Sequence, residues 1–187
     1  MTYPTYLSLK LVTIAIGLLI FISHLPPALA PERFAAFMKT LPRNYPLGVV
    51  LMLAATLWFT SLTGLMDLGE LSGMRTGLMI VWSVSGVLMV IFVPGFLAAR
   101  GLGCLLLLAA AVILDAAFLV QTPARFVMTI LAYVWVVWGM ILVYSPHYWR
   151  SVIDFATRTP ERLRLLSWPG VAFGLFLIGL ALYAYPS

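Results

Sequence analysis

Asp115 is the residue whose type and position in this sequence most strongly suggest chemistry. It is the one ionisable residue deep in a predicted membrane span, 15 residues after Arg100, which is about 22 Å along a helix. A charge at such depth is costly and indicates a functional site. Asp115 could relay protons, bind a cation or hold a partner's basic group; alternatively, it is a structural residue paired within the chain. Its candidate partners, expected toward the same membrane face, are Lys10, Arg75 and Arg125.

Histidines and paired carboxylates are the other groups that could bind a cofactor or a metal. His24 and His147 are expected at similar depth near one membrane face, where two histidines could ligate a haem iron. Hydrogen bonding to lipid headgroups is the simpler interpretation. Asp67 and Glu70 have no histidine or third carboxylate nearby, so we expect a solvated loop rather than a metal site. Signatures of catalytic triads, zinc sites and phosphate loops are absent, and we predict that the chain is not an enzyme.

Aromatic and small residues suggest packing or apolar ligands. Trp135 and Trp138 lie inside an apolar run, where they could line a quinone, pigment or lipid pocket, although such residues more often pack a helix bundle. Gly170 and Gly174 form a GxxxG motif, which permits close approach of another helix. Cys104, the single cysteine, excludes an intrachain disulfide and is expected to pack in a helix. We predict no resident cofactor and expect bound lipid.

These residues stand in a chain that is too apolar to be a soluble domain. Hydrophobic residues make up 63% of it and charged residues 9%, whereas soluble domains carry about 25% charged residues. The apolar runs reach the roughly 20 residues that a helix needs to cross a bilayer, without the alternation typical of barrel strands. We predict one all-α integral membrane domain over residues 1–187, with six helices at 8–26, 46–66, 76–97, 102–121, 125–145 and 167–185.

The first 30 residues have features of a signal peptide. Lys10 precedes an apolar run, and Ala28-Leu29-Ala30 resembles a small-residue cleavage site. Pro31 would then occupy the first mature position, which signal peptidase tolerates poorly. We therefore expect this segment to be retained as the first membrane helix.

The basic residues divide unevenly between the two sides of the predicted bundle. By the positive-inside rule, the side with more of them faces the cytoplasm, so both termini should lie outside. We expect a bacterial inner membrane. The eight residues of the cytoplasmic side are Arg33, Lys39, Arg43, Arg100, Arg150, Arg158, Arg162 and Arg164, and the three of the other side are Lys10, Arg75 and Arg125.

Two cytoplasmic connections have the pattern of amphipathic helices that lie in the headgroup layer. One apolar stripe consists of Phe34, Phe37, Met38 and Leu41, and the other of Tyr148, Trp149, Val152, Ile153 and Ala156. Their basic faces should meet anionic lipid headgroups. The residues expected to anchor the chain at this surface are Phe34, Phe37, Trp149, Arg150 and Trp168.

The two connections also have similar proline patterns. Each opens with Pro-x-x-aromatic, at Pro31 and Pro146, and each is closed by a second proline, Pro42 or Pro160. Because both face the same side, a duplication would be a parallel internal repeat. The alternative is that prolines merely punctuate two interfacial segments.

The second connection and its flanking helices carry a further pattern. The matching residues within 141–185 are Tyr144, Pro146, Trp149-Arg150, Pro160, Leu163-Arg164 and Gly170. This region resembles the YjeT-like proteins, a small two-helix bacterial inner-membrane family, although Ser145 separates the tyrosine from the proline and the stretch 160–170 is longer. The family has no established catalytic activity, so the resemblance implies a small membrane-associated accessory protein.

The sequence as a whole favours a non-catalytic scaffold or accessory subunit of a larger membrane assembly. Transporters usually have broken helices and several polar groups that converge at mid-membrane, whereas here Asp115 is almost alone. The alternatives are a small ion or solute transporter that uses Asp115, and a haem- or quinone-binding membrane protein. The expected partners are other membrane proteins and anionic lipid headgroups. Nucleic acid is not expected, since the formal charge of +5 is spread over short loops.

Overall fold

The computed structural model describes residues 8–118 and 120–185, and in this part of the chain all regular secondary structure is helical. Six of the helices are long and apolar enough to cross a membrane, which confirms the predicted class and number of spans. They are α1 (Leu9–Leu29), α3 (Tyr45–Leu65), α4 (Arg75–Phe92), α5 (Leu97–Phe118), α6 (Arg125–Tyr144) and α8 (Pro160–Ala184). Two ten-residue helices, α2 (Pro31–Thr40) and α7 (His147–Ala156), connect α1 to α3 and α6 to α8. The structure does not describe the side chain of Arg43, one of the basic residues assigned to the cytoplasmic side.

Two helix boundaries differ from the sequence-based prediction because of local backbone chemistry. The predicted stop at Pro26-Pro27 is wrong, since α1 runs on to Leu29 and the Ala30 N–H donates to the Pro26 carbonyl at 2.8 Å. The last membrane helix begins at Pro160 rather than at 167. There the Thr159 hydroxyl accepts a hydrogen bond from the Arg162 N–H at 3.3 Å, and Pro160 occupies the first helical position, where its missing N–H costs nothing.

The bundle is built from two helix pairs that share a core. Helix α1 packs along α8, and α5 packs along α6. The two pairs meet through buried side chains of all four helices, namely Leu9, Val12, Ile16, Ala110, Ile113, Ala117, Met128, Ala132, Leu177 and Ala181. Near one end of this core, the Tyr185 hydroxyl donates a hydrogen bond to the Ala124 carbonyl at 2.9 Å, which ties the end of α8 to the start of α6.

Glycines allow the paired helices to approach until their backbones touch. A Cβ added to Gly174 of α8 would lie 2.8 Å from the Phe21 nitrogen and 2.9 Å from the Gly17 carbonyl oxygen of α1. In the α5–α6 contact, a Cβ on Gly103 would lie 2.8 Å from the Gly139 oxygen. These distances leave no room for a side chain, so the GxxxG pair Gly170 and Gly174 serves the α1–α8 contact.

Helices α3 and α4 extend the bundle on one side. Helix α3 packs on α5, and α4 packs on α3, where the Thr60 and Ser83 hydroxyls lie 3.4 Å apart. Only 6% of the apolar window of the third span, which contains α4, is buried, against 39% for α5. Helix α4 is therefore the peripheral helix, held to the bundle by α3.

The connecting helices α2 and α7 contact each other at one end of the bundle, which we call the short-helix end. Helix α2 also packs on α1 and α8, and α7 on α6 and α8. The opposite end carries the chain connections between α3 and α4 and between α5 and α6. Both predicted amphipathic segments are thus helices that share one end of the bundle.

The glycine contact between α1 and α8 yields a stability prediction. We expect Gly174→Ala to lower the free energy of unfolding by about 1–3 kcal/mol, because the new Cβ meets backbone that cannot move without separating the helices. Gly179→Ala on the same helix is the matched control, since a Cβ there has nothing within 4 Å. Thermal unfolding in detergent micelles compares the two variants, and equal midpoints would contradict the packing described here.

Candidate functional site

Asp115 lies closer to an end of its helix than the sequence predicts. Helix α5 covers Leu97–Phe118 rather than 102–121, so Asp115 stands in its last described turn. Only three residues, about 4.5 Å of helix, separate it from Phe118. Its depth in the membrane stays a prediction, and a position one turn from the helix end is compatible with contact to the headgroup layer.

The side chain of Asp115 faces out of the bundle. Ala111, Asp115 and Phe118 recur at helical spacing and are all exposed, and we call them the α5 stripe. Phe118 is 80% exposed, whereas Ile113 and Ala117 on the other face are buried in the shared core. The α5 stripe is thus open to lipid or to another protein.

Two of the three candidate partners, Arg75 and Arg125, are bonded to backbone carbonyls. Arg75 Nη2 donates to the Met66 carbonyl at 3.1 Å, and Arg125 Nη1 donates to the Val120 carbonyl at 2.8 Å. Within residues 8–118 and 120–185, the ion pair that forms is Arg150–Asp154, at 3.6 Å on the exposed side of α7. The described part of the chain therefore supplies no basic partner for Asp115.

The carboxylates of the α3–α4 connection form a turn. Asp67 Oδ1 accepts a hydrogen bond from the Gly69 N–H at 3.0 Å, and Gly69 has a φ of +53°, which glycine adopts readily. Both Asp67 and Glu70 are exposed. This geometry fits the solvated loop that was predicted.

The two histidines have different surroundings. His24 is half-buried in α1, where Nδ1 lies 2.9 Å from the Ile20 carbonyl oxygen and 3.0 Å from the Ser23 hydroxyl. Its ring packs so closely on Gly170 of α8 that a Cβ there would overlap it. His147 is exposed at the start of α7, beside the Tyr148 ring at 4.5 Å. A haem at His24 would have to displace α8.

The two tryptophans of α6 also differ in their roles. Trp135 packs against the shared core. Trp138 lines a shallow apolar depression on the outer surface of α6, together with Ile130, Tyr133 and Val134. Packing accounts for the first tryptophan, and contact with the bilayer accounts for the second.

The predicted apolar stripe of α7, which contains the predicted anchor Trp149, divides between two faces. Ile153 is buried against the bundle, and Trp149 is half-buried beside it. A second apolar stripe, made of Tyr148, Val152 and Phe155, remains exposed. Helix α7 therefore presents apolar surface in two directions, which suits a helix lying between protein and acyl chains.

The remaining anchors are three aromatic side chains, of which Phe34 is half-buried and the others are exposed, and one charged side chain. In α2, the Phe34 and Phe37 rings pack 5.7 Å apart, and Phe37 is 52% exposed. Trp168 of α8 is exposed, and so is Arg150 of α7.

Two crevices at the short-helix end bring cations from separate elements together. Arg33 of α2 and Arg164 of α8 line a crevice of about 270 Å³ that also includes Glu32. Lys39 of α2 and Arg150 of α7 line another of about 200 Å³, which also includes Asp154, the ion-pair partner of Arg150. Cations from two elements around one crevice, as at Arg33 and Arg164, suit the phosphate of a lipid headgroup.

A cavity of about 260 Å³ that the sequence-based predictions did not include lies between α3, α4 and α5 and is open on one side. Its walls include Ala55, Phe59, Trp82 and Cys104. The small residues Ala55 and Cys104 were the one available signal, because small side chains at matched depth on two helices leave space between them.

Comparison of the chain with protein-family models, with curated proteins and with solved structures returns no significant match. The resemblance of residues 141–185 to YjeT-like proteins therefore stays a prediction. Among the described residues, no group of three or more histidine, cysteine, aspartate or glutamate side chains is placed to hold a metal ion.

The position of Asp115 can be tested by chemical accessibility. In a Cys104→Ala background, which removes the single native cysteine, we expect Asp115→Cys to react with a water-soluble maleimide in intact membranes or proteoliposomes. Leu108→Cys, seven residues or about 10 Å deeper in α5, is the control and should stay unlabelled. Equal resistance of both positions would place residue 115 in the hydrocarbon and contradict the expected position near the surface.

Proposed function

We propose that the chain is a non-catalytic integral membrane scaffold or accessory subunit of a larger membrane assembly. The observation that carries this proposal is the exposed carboxylate of Asp115, for which the described part of the chain offers no basic partner. Acidic residues are unfavourable in the last turn of a helix, where the dipole favours cations. A basic group of a second membrane protein at the α5 stripe would offset that cost.

The peripheral position of α4 supports the same role. This helix is held by α3 and leaves most of its apolar surface exposed beside α5. Ser85, near its middle, is exposed as well. Hydroxyl groups on membrane helices hydrogen-bond across helix interfaces, so α4 offers a partner both surface and a polar contact.

The short-helix end is proposed to lie in the cytoplasmic headgroup layer of a bacterial inner membrane, with both chain termini outside. The exposed stripe of Tyr148, Val152 and Phe155 would enter the acyl boundary. Arg33 and Arg164 would bind anionic headgroups. The two interfacial helices would thus fix the depth of the bundle relative to the membrane surface.

The proposed duplication has mixed support. Helices α2 and α7 have the same length of ten residues, and each follows a membrane helix. A two-fold related repeat would match the α1–α8 contact with an equivalent contact between α6 and α3. Instead, α3 and α6 each pack on α5. The parallel repeat stays a prediction from the proline patterns.

The alternative functions have less support. Transport sites usually lie near the bilayer midplane, whereas Asp115 stands one turn from the end of α5. Haem ligation by His24 is opposed by its close packing on Gly170. A quinone site at Trp135 is opposed by the packing of that residue in the core.

The proposed orientation predicts labelling from one side only. In the Cys104→Ala background, Lys39→Cys and Arg158→Cys should react with an impermeant maleimide only after the cytoplasmic side is opened, because both side chains are exposed at the short-helix end. Glu70→Cys, in the opposite connection, is the control and should react in intact cells. Reaction of residues 39 or 158 from outside would reverse the orientation.

The proposed partner surface predicts a site-specific cross-link in native membranes. A photoreactive benzoylphenylalanine at Phe118, which is 80% exposed, should capture a protein of discrete mass. Asp115→Asn should lower that yield several-fold, because the amide cannot pair with a cation. Tyr183, which is 96% exposed near the end of α8, is the matched control position and should capture lipid only. Equal protein yields at both positions, or none at Phe118, would refute the proposal.

A further inference from the structure

The crevice between the start of α2 and the start of α8 brings two arginines together from separate helices. Arg33 stands in the first turn of α2, and Arg164 stands in the second turn of α8. Both side chains are exposed. Helix α2 packs on α1 and on α8, so the fold places these two cations at one crevice although they are far apart in the sequence.

Neither of these arginines is neutralised by a carboxylate. Over the ranges that the structure describes, the ion pair that forms is Arg150–Asp154 on α7. Glu32 also lines the crevice, but it forms an ion pair with neither arginine. Two arginines and one glutamate leave the lining with a net positive charge. Guanidinium groups that share one crevice repel each other, and an anion between them removes this cost.

The start of α2 adds to the positive potential of the crevice. Ala30 and Pro31, at which the helix begins, both line it, and no side chain caps this helix end. The partial positive charge at the N-terminus of a helix favours an anion. The dipole of α2 therefore acts in the same direction as the two arginines, which supply most of the charge.

The apolar part of the lining distinguishes a lipid from a free anion. Leu29, the last residue of α1, lines the crevice and is 63% exposed. In α8, Arg164 is followed directly by the exposed residues Leu165 and Leu166. The crevice thus lies where the charged end of the bundle meets its apolar side. A phospholipid matches this boundary, because its phosphate is joined to acyl chains.

We propose that this crevice binds the phosphate of one anionic phospholipid, and that the bound phosphate clamps α2 to α8. Each guanidinium group donates N–H groups to phosphate oxygens, so Arg33 and Arg164 are joined through the lipid. A zwitterionic headgroup would bring a cation of its own to the crevice, so a headgroup with a net negative charge is preferred. The site rests on the proposed placement of the short-helix end in the headgroup layer, and it is independent of any partner at the α5 stripe.

Thermal unfolding of the purified full chain in mixed micelles tests the site. Dioleoyl phosphatidylglycerol should raise the unfolding midpoint by several degrees relative to dioleoyl phosphatidylcholine, which has the same acyl chains. Arg33→Gln and Arg164→Gln should each lose most of this difference. Arg158→Gln is the matched control, because it removes the same charge from an exposed position outside the crevice, and it should keep the difference. Circular dichroism checks that all three variants are folded.

Hydrogen exchange of α2 gives a second measurement that does not depend on global stability. Phosphatidylglycerol should slow exchange of the α2 amides several-fold in the unmodified chain and in Arg158→Gln, but not in Arg33→Gln. Inorganic phosphate added to phosphatidylcholine micelles distinguishes a free anion from a lipid, and it should have little effect.

Equal midpoints in the two lipids, equal losses in all three variants, or the same Arg33-dependent shift with inorganic phosphate would overturn the proposal. None of these outcomes changes the side from which Lys39→Cys is labelled. Failure of the lipid site and failure of the proposed placement are therefore distinguishable.

Discussion

Close approach of helix backbones at glycine is the interaction on which this structure depends. Lipid tails are as apolar as leucine, so burying apolar side chains between helices gains little in a bilayer, and association relies on van der Waals packing. Gly17 with Gly174, Gly48 with Ala98, and Gly103 with Gly139 each bring two backbones to the limit of contact. These contacts lie at the α1–α8, α3–α5 and α5–α6 crossings, and the order of the helices follows from them.

The open side of the bundle is a consequence of the same constraint. Helix α4 is attached by Gly86 to α3, and it lacks a comparable glycine contact with α5. Because α4 does not pack on α5, both the cavity beside Trp82 and the α5 stripe stay open. A bundle in which α4 packed equally on α3 and α5 would have neither feature.

Much of the fold could be predicted from the sequence, because every helix that crosses a bilayer needs a long apolar run. The ends of the helices were less predictable, since hydropathy carries no information about the capping residues and prolines that start or stop a helix. Thr159 and Pro160 start a helix within a polar stretch, and α5 begins at Leu97 rather than at the predicted 102. The GxxxG motif predicted a close contact, but not that its partner would be α1. The cavity depends on how little α4 and α5 contact each other, and the small residues Ala55 and Cys104 were its one signal in the sequence.

Charged groups lie at the two ends of the bundle and apolar surface lies between them, so the ends and the middle would recognise different features of a partner. Cations gather at the short-helix end, Asp115 and Arg75 stand near the opposite end, and an apolar cavity lies between the middles of α3, α4 and α5. Hydroxyls in the middle are mostly satisfied by their own helices, as Thr56 is by the Met52 carbonyl. Directional contacts with a partner are therefore concentrated at the two ends of the bundle, with the exposed hydroxyl of Ser85 as an additional polar contact near the middle of α4. This division supports the proposed role, because a partner in the membrane would find its charged contacts at the two ends and mainly apolar surface between them.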